Sequence, residues 1–290
     1  MSNYTLAQEL LEQALALGEQ DQNEDAVSLY LKAIAAAPEW ATPHYNLGLY
    51  YKYECNWQLS YQHNKKAVEL DTESEPAWWN LGIAATVLED WHTARTAWTK
   101  FGLKLEVNDE EPSMALGNSP IRLNPDDAGE VVWCKRVDPA RAIILNIPLA
   151  TSGHRFGDMI LNDGAPMGTR ISNGEEYSVL NELKLLKPSK YKTYSVTIYT
   201  SIQSDIDKLE ELCEVAEIEM EDWSTIRYLC KQCSEGVAHK DHDQDYEERE
   251  SPSERYIGFA SLNEFELVQV LADWSVITLC EYSELVLELE

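Results

Sequence analysis

Through residue 108 the apolar positions keep a helical period, and beyond Asn108 that period fades into short alternating runs. Sliding the chain against itself shows that the helical part repeats every 34 residues, in frames 7–40, 41–74 and 75–108 with no gap. Position 8 of each frame is small: Ala14, Gly48 and Gly82. Position 20 is small as well, at Ala26, Ser60 and Ala94. Position 24 carries Tyr30, Asn64 and Trp98, and position 27 carries Ala33, Ala67 and Phe101. Leu47, Gly48 and Tyr51 in the second frame match Leu81, Gly82 and Ala85 in the third, where Trp78 precedes them. Pro38 stands where a second helix should stop.

These small and aromatic positions at this spacing resemble the tetratricopeptide family, and the resemblance covers residues 7–108. It implies three helix pairs stacked as a solenoid. Asn64 departs from the pattern, which has an aromatic residue there, and the first frame lacks the Leu-Gly pair, as terminal repeats often do. The resemblance also implies a concave binding face built from the first helix of each pair. Carried over, that face holds Tyr45, Leu49, Lys52, Tyr53, Trp79, Ile83 and Thr86, apolar and aromatic with one cation. Gln8, Leu11, Leu15, Gly18, Glu19, Thr42, Pro76 and Val87 complete it. Trp79 is expected to point outward as a binding anchor. A clamp for chaperone tails would need several Lys or Arg; Asn46 and Asn80 suit part of one, but Leu11, Leu15 and Pro76 do not.

Beyond residue 108 the pattern predicts an α+β region. Asp109 to Pro112 and Gly117 to Pro120 read as a linker. Short runs at Val131–Arg136, Ala142–Ile147, Asp158–Leu161 and Tyr177–Leu180 suggest a small twisted sheet or half-barrel, with a tight turn at Asn162-Asp163-Gly164. From Tyr194 the order is strand (195–200), helix from Ser204 capped with Asp207, strand (226–230), strand (256–260), helix capped by Asn263 and Glu266, and a strand over 276–289 bent at Ser283. That β-α-β-β-α-β order is ferredoxin-like. Three domains follow: 1–108, 109–192 and 193–290.

The formal charge is −28, with 51 acids against 23 bases. Residues 1–108 hold 15 of the acids and 7 of the bases, so most of the excess lies in the remainder. Such a surface repels phosphate backbones and anionic membranes and attracts a basic protein. Its dense parts are Asp205–Asp222, on the open side of a helix, and Asp241–Glu254. The N-terminus lacks the basic-then-apolar pattern of a leader, and the six cysteines are scattered. The expectation is a cytoplasmic protein with reduced thiols.

Three clusters carry candidate chemistry. Cys230-x2-Cys233 followed by His239 and His242 has the ligand types of one structural zinc. Asp241, Asp243 and Asp245 imitate a calcium loop, but Tyr246 replaces the required Gly and Pro252 the required Glu. In Gly153–Asp158, His154 is a candidate base, Arg155 a cation and Asp158 the carboxylate that would orient the His. No nucleophile motif, phosphate-binding Gly loop or zinc-protease pattern accompanies them. The expected function is therefore recognition of another protein, without catalysis: an acidic binding or inhibitory, immunity-like protein or adaptor. The alternative is a metalloprotein or enzyme that recruits a protein substrate through its repeats. No cofactor is expected beyond that one zinc.

Overall fold

The computed structural model describes residues 3–127, 129–226 and 253–290. The expected strand at 226–230, the calcium-like run and the four zinc candidates lie almost wholly outside the described residues. The chain divides into two compact units, Met1–Met114 and Ala115–Glu290.

The first unit begins with six helices: α1 (Asn3–Gly18), α2 (Asn23–Ala36), α3 (Ala41–Tyr53), α4 (Trp57–Leu70), α5 (Glu75–Val87) and α6 (Trp91–Thr99). They pair as α1·α2, α3·α4 and α5·α6. The 34-residue period is written into the backbone. Asp21, Cys55 and Glu89 each adopt a left-handed conformation, with φ of 58°, 53° and 57°. After each, the next amide reaches back to the last turn of the helix: Gln22 to Leu17, Asn56 to Tyr51 and Asp90 to Ala85. This six-to-one bond is the Schellman ending, in which glycine usually stands at the left-handed position. The following residue then opens the second helix. Asn56 caps the Leu59 amide and Asp90 that of Thr93, whereas Gln22 offers no side-chain cap.

Within a pair, the small residue at position 8 receives the side chain at position 24. A Cβ on Gly48 would stand 2.5 Å from Asn64. Asn64 itself is anchored, donating to the Ser60 carbonyl at 2.9 Å, while Ser60 Oγ donates to the Gly48 carbonyl at 2.8 Å. A buried amide tied to the backbone thus takes the place of the aromatic ring. Behind α6, Arg95 donates from Nε to the Glu110 carbonyl and from Nη1 to the Glu106 carbonyl, which holds the trailing segment in place.

The second unit contains two sheets. The first is a closed barrel of β1 (Asn118–Leu123), β2 (Glu130–Arg136), β3 (Arg141–Ile144), β4 (Met159–Ser172) and β5 (Glu175–Lys187). Consecutive strands are antiparallel, and β1 closes on β5 in parallel through Ile121↔Leu180 and Arg122↔Asn181. A meander of five strands can close only with one parallel pair. Ile121, Leu123, Val132, Cys134, Ala142, Ile144, Ile160 and Leu180 fill the interior.

The barrel departs from the expected pattern in three places. Of Gly117–Pro120, read as linker, Asn118, Ser119 and Pro120 belong to β1 itself, and that strand completes a closed barrel rather than a half-barrel. Asn162-Asp163-Gly164 is not a turn but a bulge inside β4, where the register slips between Asn162 and Pro166. The hairpin turn is at Asn173-Gly174, both at positive φ (52° and 81°), the pair that a two-residue hairpin loop favours.

The second sheet runs β10 (Val286–Leu289), β6 (Lys192–Tyr199), β8 (Arg255–Ser261), β7 (Glu219–Asp222), all neighbours antiparallel, with β9 (Glu281–Tyr282) also on β6. Helices α7 (Gln203–Val215) and α8 (Glu264–Thr278) cover one face. Tyr194, Val196, Ile198, Ile257 and Phe259 meet Ile206, Leu209, Cys213, Leu267, Leu271 and Trp274 in that core. On the opposite face Trp223 lies over Gly258, where a Cβ would come within 2.3 Å of the indole. Its Nε1 donates to the Ile147 carbonyl at 2.9 Å and so ties this sheet to the β3–β4 loop.

Asn263 caps α8 as expected, accepting from Phe265, but its own amide donates to Ser261 Oγ rather than to Glu266. Ser204 does not cap α7; it lies inside the helix, and the start is fixed by Thr200 Oγ1, which donates to Asp205 and accepts from the Ile202 amide. The predicted strand over 276–289 starts late, because α8 continues to Thr278. Ser283 does mark the break, exchanging bonds with Thr197 between β9 and β10.

Candidate functional site

The groove residues of the repeats divide into two sets. On α3, Tyr53 is 59% exposed, and Tyr45 and Leu49 are half-buried. They recur in steps of four and so share one face of the helix. Lys52 is buried except for its reach toward Tyr53, where its Nζ lies 4.4 Å from the ring centroid. On α5, by contrast, Ile83 and Thr86 are buried, and Thr86 Oγ1 donates to the Gly82 carbonyl at 2.8 Å. Every residue from Asn80 to Thr86 is buried.

Trp79 is half-buried and meets Trp98 and Phe101 edge-on, with centroids 5.3 and 4.8 Å away. Both partners belong to its own helix pair or to the residues just after it. This corrects the expectation that Trp79 points outward. Its size lets it span the pair, and its indole nitrogen is buried without a hydrogen-bond partner.

The His154 loop is also rearranged relative to expectation. Asp158 does not orient His154. Its carboxylate accepts the Arg155 and Ser189 amides at 2.9 and 2.6 Å and acts as a backbone clamp. Arg155 Nε stays 3.8 Å from it. The partner of His154 is Glu182 on β5, 2.6 Å from Nε2, and both are buried. Nδ1 lies 2.8 Å from the Ser152 carbonyl, which can only accept, so Nδ1 carries a proton. Burial lowers the imidazole pKa, but the hydrogen bond and charge of Glu182 outweigh it and the net shift is upward, with help from Ser152 and Asp158. Asn124 closes the group, its amide donating to Glu182 and its side chain to the Ser152 carbonyl.

Two more carboxylates hold the same stretch. Glu130 accepts the Leu149 amide, and Glu221 accepts the Ile147 amide and the Asn146 side chain. Burial pushes Glu130 up to about 7, aided by repulsion from Glu221 and opposed by the Leu149 bond and His154. Burial raises Glu221 too, against the bonds from Ile147 and Asn146. Glu130, Glu182 and Glu221 form no motif in the sequence because each lies on a different strand. The available signal was a Glu at an inward position, since Glu182 follows buried Leu180 by two residues on β5. The arrangement can store a proton and fix the loop. His154, with both ring nitrogens occupied, offers no free lone pair to a substrate.

Among the described residues no group of three His, Cys, Asp or Glu is placed to hold a metal. In the second repeat His44 and His63 face each other with Nδ1 atoms 3.1 Å apart. Burial, then His63 and Lys66, lower His44 to about 4, and burial lowers His63 as well. Both rings are therefore neutral near pH 7, one donating to the other.

Six helices in three pairs, with a left-handed turn every 34 residues and a small-to-large contact between positions 8 and 24, make the first unit a tetratricopeptide-type array. Solved structures similar to it are of that class. The tetratricopeptide domain of Arabidopsis OM64 is 24% identical, with a TM-score of 0.31, over 33% of this chain and 80% of that one. The second such domain of Spaghetti (RPAP3), bound to an HSP90 peptide, is 20% identical with a TM-score of 0.32, over 34% and 91%. The TPR2B domain of yeast Sti1, in its complex with pHsp70, is 19% identical with a TM-score of 0.31, over 33% and 77%. No protein-family model and no curated protein matches the chain. Among the described residues no helix is long and apolar enough to cross a membrane.

Proposed function

We propose that the chain works by recognising another protein, as an acidic binding or inhibitory module or adaptor whose partner carries basic surface. The observation that carries this reading is Tyr53 on α3, 59% exposed, with the half-buried Tyr45 and Leu49 in line with it on the same helix face. Tyrosine and tryptophan dominate binding energy where they can be desolvated. The HSP90 and Hsp70 segments in the similar structures do not transfer to this chain. Of the groove residues only Lys52 is cationic, and it is buried. The net charge of −28 instead favours a basic partner at encounter. In the second sheet, the strand order β10-β6-β8-β7 with two helices on one face supports a ferredoxin-like reading of residues 193–290. The rival reading, a metalloprotein or enzyme that recruits a protein substrate, rests on the zinc candidates, which lie outside the described residues, and on His154, whose ring is buried and engaged on both sides.

The test is to identify the partner by affinity purification and then follow both proteins by surface plasmon resonance. Tyr53→Ala should speed dissociation by about tenfold or more, as for an interface anchor. Neutralising Glu210, Glu211, Glu214 and Glu217 together should slow association and flatten its salt dependence while leaving dissociation nearly unchanged. Unchanged kinetics in both variants would remove the proposal.

A further inference from the structure

Helix α8 is apolar on two opposite faces. Leu267, Val270, Leu271 and Trp274 face the sheet and are buried. Phe265, Val268, Ala272, Val276 and Leu279 recur in steps of three and four on the other side. Phe265 and Val276 are each 76% exposed, and Leu279 is 88% exposed. A surface helix normally turns a polar face to water, and α8 instead turns this apolar stripe outward between exposed Glu264, Glu266, Gln269 and Asp273.

Leu279 adds an independent sign. It ends the helix in the left-handed conformation, φ 60°, with its amide on the Ser275 carbonyl. Glycine or asparagine is the usual residue at that position. A branched, almost fully exposed Leu is unfavourable there on both backbone and solvation grounds, unless its side chain has an external partner.

The surroundings decide the kind of partner. Glu264, Glu266 and Asp273 are exposed beside the stripe, and α7 nearby exposes Glu210, Glu211, Glu214 and Glu217. The cations among the described residues of 192–290 are Lys192, Lys208 and Arg255. Lys192 pairs with Glu290, Lys208 with Glu211, and Arg255 with Asp222. A second copy would bring acids against acids. We infer that the outer face of α8 is a docking site for an amphipathic segment of a partner protein, apolar along one side and flanked by Lys or Arg. This site is separate from the α3 groove.

A defined probe tests it on the full chain: a labelled 18-residue helical peptide of Leu and Lys, read by fluorescence anisotropy. Two controls accompany it, a Lys/Ser peptide of equal charge and a Leu/Glu peptide of equal pattern. The Leu/Lys peptide should bind tightest, and Phe265→Ser with Val276→Ser should weaken it by about tenfold, consistent with losing two anchors. Circular dichroism should be unchanged, since both positions face away from the core. Tyr53→Ala should leave the peptide affinity unaltered, so failure of the groove and failure of this site are read separately. Equal binding of the Leu/Lys and Lys/Ser peptides, undisturbed by the stripe variant, would overturn the proposal in favour of bare charge attraction. Self-association of the chain that the stripe variant abolishes would overturn it in favour of a second copy.

Discussion

Trp98 lies across Gly82 so closely that a methyl group on the glycine would sit 2.5 Å from the ring. The whole tryptophan is buried, and α5 and α6 approach each other through this one absence of a side chain. Gly82→Ala should therefore destabilise the first unit by about 1–3 kcal/mol, the usual cost of overpacking. Gly18, at the end of α1, has nothing within 4 Å of a built Cβ. Gly18→Ala should be neutral or stabilising by up to about 1 kcal/mol. Urea unfolding of the two variants separates packing from propensity.

Trp79→Ala should behave as a core truncation, costing about 3–5 kcal/mol, because Trp79 packs on Trp98 and Phe101. Tyr53→Ala should leave stability within about 0.5 kcal/mol, as exposed substitutions do. Thermal melts followed by circular dichroism decide this. Equal and small shifts in both would restore Trp79 to the groove.

The left-handed residues that end α1, α3 and α5 are Asp21, Cys55 and Glu89, none of them glycine. Glu89→Gly relieves a conformation that costs a side-chain-bearing residue about 1–2 kcal/mol and forfeits part of that gain in chain entropy. The expected result is a higher melting temperature, with a net gain of about 0.5–1 kcal/mol. A lower melting temperature would mean that the Glu89 side chain contributes more than its backbone costs.

The two units should respond to pH in opposite senses. In the first, His44 is held down at about 4, so its contribution is present above the ordinary histidine value and is lost as pH falls toward 4. In the second, Glu130 is raised to about 7, with His154 and Glu221 also raised. Their contribution is full below the unfolded values and is lost as pH rises through the folded ones. Glu130→Gln should therefore flatten the decline between about pH 4.5 and 7. Denaturant midpoints of wild type and variant at pH 5, 6, 7 and 8, with a probe in each unit, measure both slopes.

The repeats were legible because their signals are local. A period, a small residue and an aromatic fall within one helix pair, and all six helices lie where the 34-residue frames put them. The groove was less legible. Position in the repeat says which helix face a residue occupies, but not that Ile83 and Thr86 would be buried while Tyr53 stayed open. In the second unit the apolar runs gave most strands, but β1 hid behind Asn118-Ser119-Pro120, which reads as a turn. β7 hid in Glu219–Asp222, whose acids read as a solvated run; in the fold Glu221 and Asp222 are spent on Ile147, Asn146 and Arg255. The His154–Glu182 pair spans 28 residues and two strands, a distance that no short motif covers.

The parallel closure of the barrel has a mechanical consequence. Because β1 and β5 run in the same direction, the chain enters at one end of the barrel and leaves at the other. Tension between the first unit and the second sheet would pull Asn118 and Lys187 apart along the strand axis. The bonds around Ile121, Leu180 and Asn181 would then be strained together rather than peeled one at a time. Through-chain force meets its stiffest resistance at a seam only two residue pairs long.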